Sequence, residues 1–323
     1  MKSKIISIII AVLIMGTLTI KIVTLPPKLK TAKLIEIPEG ANAVDVAKIL
    51  EEKGIIKNDD WFLYLTRRYN VQEKLQAGIY EFSGRTYLKE VIKKIVHGDV
   101  IMVRVTIPEG STVKEIADIL ERRKLVSKDE FIKYAEYKKL EGMLFPDTYL
   151  FPHKISVEAI AKTMYKRFKE VFEEIYGAPI TEENFKKVKE LVTVASIVEK
   201  EAMYDSERRI IAGIIYKRLK KNIPLQSCAT VIYATGKART RLSNSDLKVR
   251  SPYNTYTHRG LPPGPICNPG LSSLKAALNP EKTDYLYFVS MGDGRNYFSK
   301  TYAEHIAAIK MFLSSTTSSE TSL

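Results

Sequence analysis

The sequence predicts an α+β chain in three parts: an apolar N-terminal helix, a small α/β subdomain and a larger mixed α/β domain. Three observations carry this. An uncharged apolar run opens the chain. A strand–turn–helix motif then occurs twice. Beyond it, helical periodicity alternates with loops rich in proline and aromatics. At 323 residues, 45% of them hydrophobic, the chain can bury more than one core.

Lys2 and Lys4 precede the apolar run over residues 5–20, which extends to Leu25 if Lys21 snorkels. About 20 residues suffice to cross a bilayer core. The leading lysines place the N-terminus in the cytoplasm and the remainder outside it. Residues 1–25 therefore read as a single-pass anchor in the cytoplasmic (inner) membrane. A cleaved signal peptide fits less well, because the run is long and no small-residue cleavage site follows. Pro26 and Pro27 cannot continue a helix, so residues 26–34 read as an extended linker.

Lys and Arg number 51 against 37 Asp and Glu, a net charge of +14. That balance favours anionic partners such as acidic headgroups or an anionic polymer. Zinc-finger spacing, a basic helix with heptads and an RNP-like strand are all missing, so nucleic acid is not an expected partner. Cys228 and Cys267 lie far apart without CxxC spacing, so no metal or cofactor is called for. One disulfide or two free thiols both fit.

The repeat pairs "IPEGANAVDVAKILEEKGII", beginning at Ile37, with "IPEGSTVKEIADILERRKLV" at residues 107–126. Each copy reads as a strand end, a turn at Pro-Glu-Gly and an amphipathic helix. Val46, Ala47, Ile49 and Leu50 in the first match Ile116, Ala117, Ile119 and Leu120 in the second as the buried stripe. Ser111 marks the second helix's start. "DDWFLYLTRRY" adds a helix to the first copy and "AGIYEF" a strand. The order strand, helix, helix, strand over residues 35–98 resembles the LysM glycan-binding module; a plain spacer is the other reading. The larger domain spans residues 99–313, and the Ser/Thr-rich residues 314–323 read as a disordered tail.

Within the larger domain, "EGMLFPDTYLFP" (residues 141–152) cannot be one helix and reads as a loop packing Phe145, Tyr149 and Phe151 inward. A long helix follows from Val157, then one ending in "LVTVASIVEKEA", then "SERRIIAGIIYKRLKKN" with Ser206 as N-cap. "SSLKAALNP" reads as a short helix and "YLYFVSMGDGRNYFS" as a hairpin.

Candidate chemistry lies in "LVTVASIVEKEA". Residues two apart on a helix are about 200° apart around the axis, so Glu199 and Glu201 cannot share a face. Glu199 lies above Ala195 and Val192, and Glu201 above Ile197 and Val194. Apolar residues nearly encircle this helix. Desolvation and the negative end of the helix dipole would both raise a carboxyl pKa there. A carboxyl kept protonated near neutral pH can protonate a glycosidic oxygen. A solvated helix end pairing with Lys200, Arg208 or Arg209 is the bland reading, and periodicity does not choose between the glutamates. Downstream, "YNTY" (residues 253–256) and "GLPPGPI" (residues 260–266) form a long loop stiffened by prolines. Its aromatic planes and amides suit a sugar site. Gln226 in "IPLQSCATVIYATG" adds a polar candidate.

These blocks, "EGMLFPDTY", "ASIVEKEA", "LQSCATVIYA", "SPYNTYTHRGLPPGPICNPG", "SLKAALNP" and "YLYFV", occur in an order that resembles the endolytic murein transglycosylases, the YceG-like family. The resemblance runs from Ile37 to about Phe312. It implies a bitopic inner-membrane lytic transglycosylase with an extracytoplasmic catalytic domain, acting on nascent peptidoglycan glycan strands and limiting their length. It further implies that Glu201, the second glutamate of "EKE", is catalytic. Gln226, Tyr253, Asn254 and Tyr256 match motif positions and are candidate substrate-binding residues. Where many members carry Asp after Ser or Thr, this chain has Cys228. Peptidoglycan synthases are the partners the family suggests. The rival readings are a non-catalytic, membrane-tethered glycan-binding scaffold, or a hydrolase using Asp205 or Glu199 to activate water.

Overall fold

The computed structural model describes residues 26–236 and 242–317, with side chains described to residue 312. Eleven α-helices and three two-stranded sheets make up its regular structure among those residues. The predicted anchor at residues 1–25 lies outside the described residues. Among those described, no helix is long and apolar enough to cross a membrane. The chain divides into two units, Met1–Arg104 with Leu150–Ile155, and Val105–Tyr149 with Ser156–Leu323.

In the first unit the order is β1 (Leu29–Ile37), α1 (Ala43–Glu52), α2 (Asp59–Arg68), β2 (Gly78–Gly84) and α3 (Leu88–His97). β1 and β2 pair antiparallel, Ile35 against Tyr80 and Ile37 against Gly78. Asn42 caps α1 through a reciprocal box with Asp45. Val46, Ala47 and Leu50 are buried on Ile35, Phe62, Tyr80 and Phe82, while Ile49 is only half-buried. The structure corrects the linker expected over residues 26–34. β1 starts at Leu29, because strand pairing reaches Leu29 against Gly84 and supplies partners to backbone that would otherwise be free. The boundary expected after residue 98 also moves. Ile101 donates to the Ile79 carbonyl at 2.8 Å and His153 to the Ile101 carbonyl at 3.1 Å, so both segments belong with the small unit.

β3 (Met102–Thr106) pairs with β4 (Thr148–Pro152), so the segment expected as a loop after residue 141 contains a strand. In the second unit come α4 (Val113–Arg122), α5 (Lys128–Tyr137), α6 (Val157–Tyr176), α7 (Glu182–Glu201), α8 (Asp205–Lys220), α9 (Cys228–Thr235), α10 (Leu271–Leu278), β5 (Tyr287–Ser290), β6 (Asn296–Ser299) and α11 (Tyr302–Thr317). α7 is the central element, packed against α8, α9 and α10 and buried continuously over residues 192–198. Apolar residues on every side of that stretch leave it no solvent face. Three sequence expectations shift by a residue or a turn. Thr112, rather than Ser111, caps α4, with Glu115 closing the box. α8 starts at Asp205 with Tyr204 in the cap position, not Ser206. α11 continues to Thr317, past the start of the expected tail; residues 318–323 lie outside the described residues.

The segment over residues 260–270 lies against α7. Ser196, fully buried, donates to the Thr193 carbonyl at 2.8 Å and accepts from the Ile266 N–H at 3.0 Å. Asn268, also fully buried, ties this segment to the second copy of the repeat. Its Nδ2 donates to the Ser111 carbonyl at 2.9 Å, and its Oδ1 accepts from the Leu144 N–H at 2.8 Å. Gly142 adopts φ +84°, and a Cβ there would sit 2.4 Å from Pro265 and 2.9 Å from Val192, so glycine is required at this crossing.

Candidate active site

Glu201 is the last residue of α7, and Ala202 turns the chain to extended backbone after it. The Glu201 side chain reaches the start of α9. Its Oε1 accepts a hydrogen bond from Ser227 Oγ, and the Ala229 N–H also donates to the carboxyl. The residue is partly exposed, but the carboxyl is packed among protein atoms. Burial pushes its pKa above the usual carboxylate value, against the lowering pull of the two donors.

Glu199 emerges on the other side. Its side chain is 7% exposed and pairs with Arg208 at 3.4 Å, while accepting from the Gly270 N–H at 3.0 Å at the start of α10. Arg208 also binds Asp205 at 2.8 Å and Ser273 at 2.5 Å. Glu109 of the second Pro-Glu-Gly turn approaches the same helix start, and burial with the nearby Glu199 raises its pKa. Asp205 is 76% exposed. The two rival carboxylates therefore belong to an ion-paired cluster around Arg208. An open groove lies on this side too, lined by Glu109, Glu115, Asp118 and Lys200, away from the Glu201 carboxyl.

Of the four candidate binding residues, two lie near Glu201. Gln226 is exposed, with φ +51°, a left-handed conformation rare for a residue with a side chain. Its N–H donates to the Thr255 carbonyl at 3.1 Å. The Tyr256 hydroxyl lies 3.1 Å from Cys228 Sγ, and Glu201 acts electrostatically on both. The other two make contacts of their own. Asn254 is fully buried, and its Nδ2 donates to the carbonyls of Leu247 and Val249 at 3.0 and 2.9 Å while its Oδ1 accepts from Tyr256 N–H at 2.9 Å. That amide is spent on shaping its own loop. Tyr253 packs on Tyr233 with ring centroids 4.9 Å apart.

The sequence reading missed Ser227, Thr230 and Thr255. Thr255 sits between two candidates that were chosen, and Ser227 directly follows another; a hydroxyl inside an apolar helix, as at Thr230, was the available signal. It also missed Glu141, whose carboxyl accepts from Val113 N–H, Tyr233 Oη and Asn268 Nδ2 at 3.1 to 3.2 Å. Desolvation pushes its pKa up to about 7. Both cysteines are free, Cys228 exposed and Cys267 buried. Among the described residues no cluster of His, Cys, Asp or Glu could hold a metal ion.

The arrangement is that of a lone raised-pKa acid at a helix end, held by hydroxyl and backbone donors beside a rigid aromatic loop. A family model described as the YceG-like family matches residues 35–311. The chain is 36% identical over 314 residues to an endolytic murein transglycosylase of Bacillus subtilis (strain 168), covering 88% of this chain and 86% of that protein. It is 29% identical over 314 residues to an endolytic murein transglycosylase of Streptococcus pneumoniae (strain ATCC BAA-255 / R6), of whose length the match covers 56%. A crystal structure of a yceG-like protein from Listeria monocytogenes superposes with a TM-score of 0.56 at 35% identity, covering 86% of this chain and 99% of that one. The chain belongs to the YceG-like family.

Proposed function

We propose that this protein is a lytic transglycosylase that cuts peptidoglycan glycan strands internally, with Glu201 as its catalytic acid and base. Protonated Glu201 donates to the oxygen of the MurNAc–GlcNAc β-1,4 bond, which breaks. The substrate's N-acetyl group supports the oxocarbenium-like centre. Glu201, now a carboxylate, takes the proton of the MurNAc C6 hydroxyl, whose oxygen closes a 1,6-anhydro ring. The single observation carrying this reading is the isolation of Glu201. Its carboxyl is buried against Ser227 and Ala229, while Glu199 and Asp205 are paired with Arg208. Most glycosidases use two carboxyls flanking the bond; an intramolecular hydroxyl nucleophile needs only one. The relatives named endolytic murein transglycosylases support the substrate class.

In this reading residues 1–25 anchor the chain in the membrane with the enzyme outside. The first unit acts as a LysM-like glycan holder, and synthases building the same strand are its neighbours. Gln226 and Tyr256 face the sugar, while Asn254 and Tyr253 set the loop. The test is product chemistry on purified glycan strands. Anhydro-MurNAc ends from the wild type, lost in Glu201→Gln, are expected. Reducing ends would make the protein a hydrolase. Binding to sacculi without any cleavage would make it a scaffold.

A further inference from the structure

Among the described residues Ser227 is the one side chain that donates to Glu201, and its own position is fixed from beneath by two buried threonines. Thr255 and Thr230 are 1% and 0% exposed. The Ser227 N–H donates to Thr255 Oγ1 at 3.0 Å, the two threonine hydroxyls are 2.9 Å apart, and Thr230 Oγ1 donates to the Ser227 carbonyl at 2.7 Å. Each hydroxyl has one proton to give. Thr230 spends its proton on the Ser227 carbonyl, so the shared bond must carry the Thr255 proton toward Thr230. Thr255 Oγ1 is then left to accept from the Ser227 N–H. The ring therefore has one direction only. It clamps the peptide N–H and the carbonyl of Ser227 and leaves the Oγ proton free for Glu201.

The preceding residue records what this clamp does. Gln226 holds φ +51°, a left-handed conformation that is strained for a residue with a side chain. It persists because its N–H is tied to the Thr255 carbonyl. Thr255 thus grips both residues of the Gln226–Ser227 pair, through its backbone oxygen and its hydroxyl.

We infer that Thr255 is a positioning residue: through Ser227 it aims the hydroxyl that holds the Glu201 carboxyl in its reactive orientation. At 1% exposure Thr255 cannot reach substrate itself. The inference rests on Glu201 being the acid.

A hydrogen bond to the ionised form favours ionisation. Losing the Ser227 bond therefore raises the Glu201 pKa and moves the basic limb of the pH profile upward. The experiment measures kcat and KM against pH on glycan strands for the full chain and for Ser227→Ala, Thr255→Val and Thr255→Ser. Ser227→Ala and Thr255→Val are expected to lower kcat by about ten-fold or more with KM little changed. Both should raise the basic limb by about one pH unit. Thr255→Ser keeps the hydroxyl and should restore both. Where the valine is not accommodated, Thr255→Ala makes the same cut. An unmoved limb in Ser227→Ala, or a Thr255→Ser variant as poor as Thr255→Val, overturns the relay. Activity surviving in Glu201→Gln overturns the acid assignment instead, so the two failures are told apart.

Discussion

Glu141 offers a quantitative check on the second unit that does not depend on catalysis. Its carboxyl is desolvated between α4, α9 and the segment carrying Asn268, and its pKa rises from 4.5 to about 7. In the unfolded chain the group ionises near its ordinary value. Between pH 4.5 and 7 the unfolded state therefore loses this proton first, and folding stability falls as pH rises through that window. A rise from 4.5 to about 7, at about 1.4 kcal/mol for each tenfold change in proton affinity, amounts to about 3 kcal/mol by pH 8. Glu141→Gln removes the titration while keeping the shape. Its absolute stability also reflects three or more donors facing a single amide oxygen, so the slope is the quantity to read. Glu201 and Glu109, whose pKa values are also raised, are present in both proteins and cancel. Calorimetric unfolding at steps from pH 4 to 8 should show the mutant gaining about 3 kcal/mol on the wild type across the window. Parallel stability curves would refute the burial argument for this carboxyl.

Three further outcomes follow from the same structure. Arg208→Met leaves Glu199 buried without its partner and should destabilise by about 3–5 kcal/mol in denaturant titration, whereas Asp205→Asn, at an exposed side chain, should change stability by about 1 kcal/mol or less. Gly142→Ala places a methyl against Pro265 and Val192 at a left-handed backbone position and should cost about 2 kcal/mol or more, visible as a lowered Tm. A thiol reagent should modify Cys228 but not Cys267 in the folded protein, and both after unfolding, with Cys228 reacting slowly near neutral pH because burial raises its pKa.

Several helices of the second unit, such as the one from Val157, were legible in the sequence because their apolar stripes are long, while their caps were misplaced by a residue or two, at Ser111 rather than Thr112 and at Ser206 rather than Tyr204. The encircling apolar pattern of residues 192–198 likewise marked α7 as a central helix. What periodicity left open was the choice of glutamate, since both follow equally apolar neighbours. The choice depends on contacts made across the fold: Arg208 and Gly270 take Glu199, while Ser227 and Ala229 take Glu201. The loop residues were harder for the same reason. Tyr253 and Asn254 look like sugar contacts by chemical type, yet one stacks on Tyr233 and the other bonds its own loop. Nothing local distinguishes Thr255 from its neighbours, because its role is set by Ser227 and Thr230, 25 or more residues away in sequence. The end of β1 at Ile37 was legible before its turn, but its first part, over residues 29–34, was read as linker because those residues are mostly exposed and carry no alternating pattern.

The burial of α7 on all sides has a consequence for how this site can change. An α-helix advances 1.5 Å and turns about 100° with each residue. Inserting one residue between Val198 and Glu201 would swing the terminal carboxyl by that angle, away from Ser227. The packed stretch over residues 192–198 allows no compensating rotation. The segment ahead of the helix, between Gly177 and Thr181, can lengthen without turning Glu201 at all. The candidate site is thus indexed like a key on a shaft: side chains around it can be exchanged one by one, but the residue count from core to carboxyl cannot.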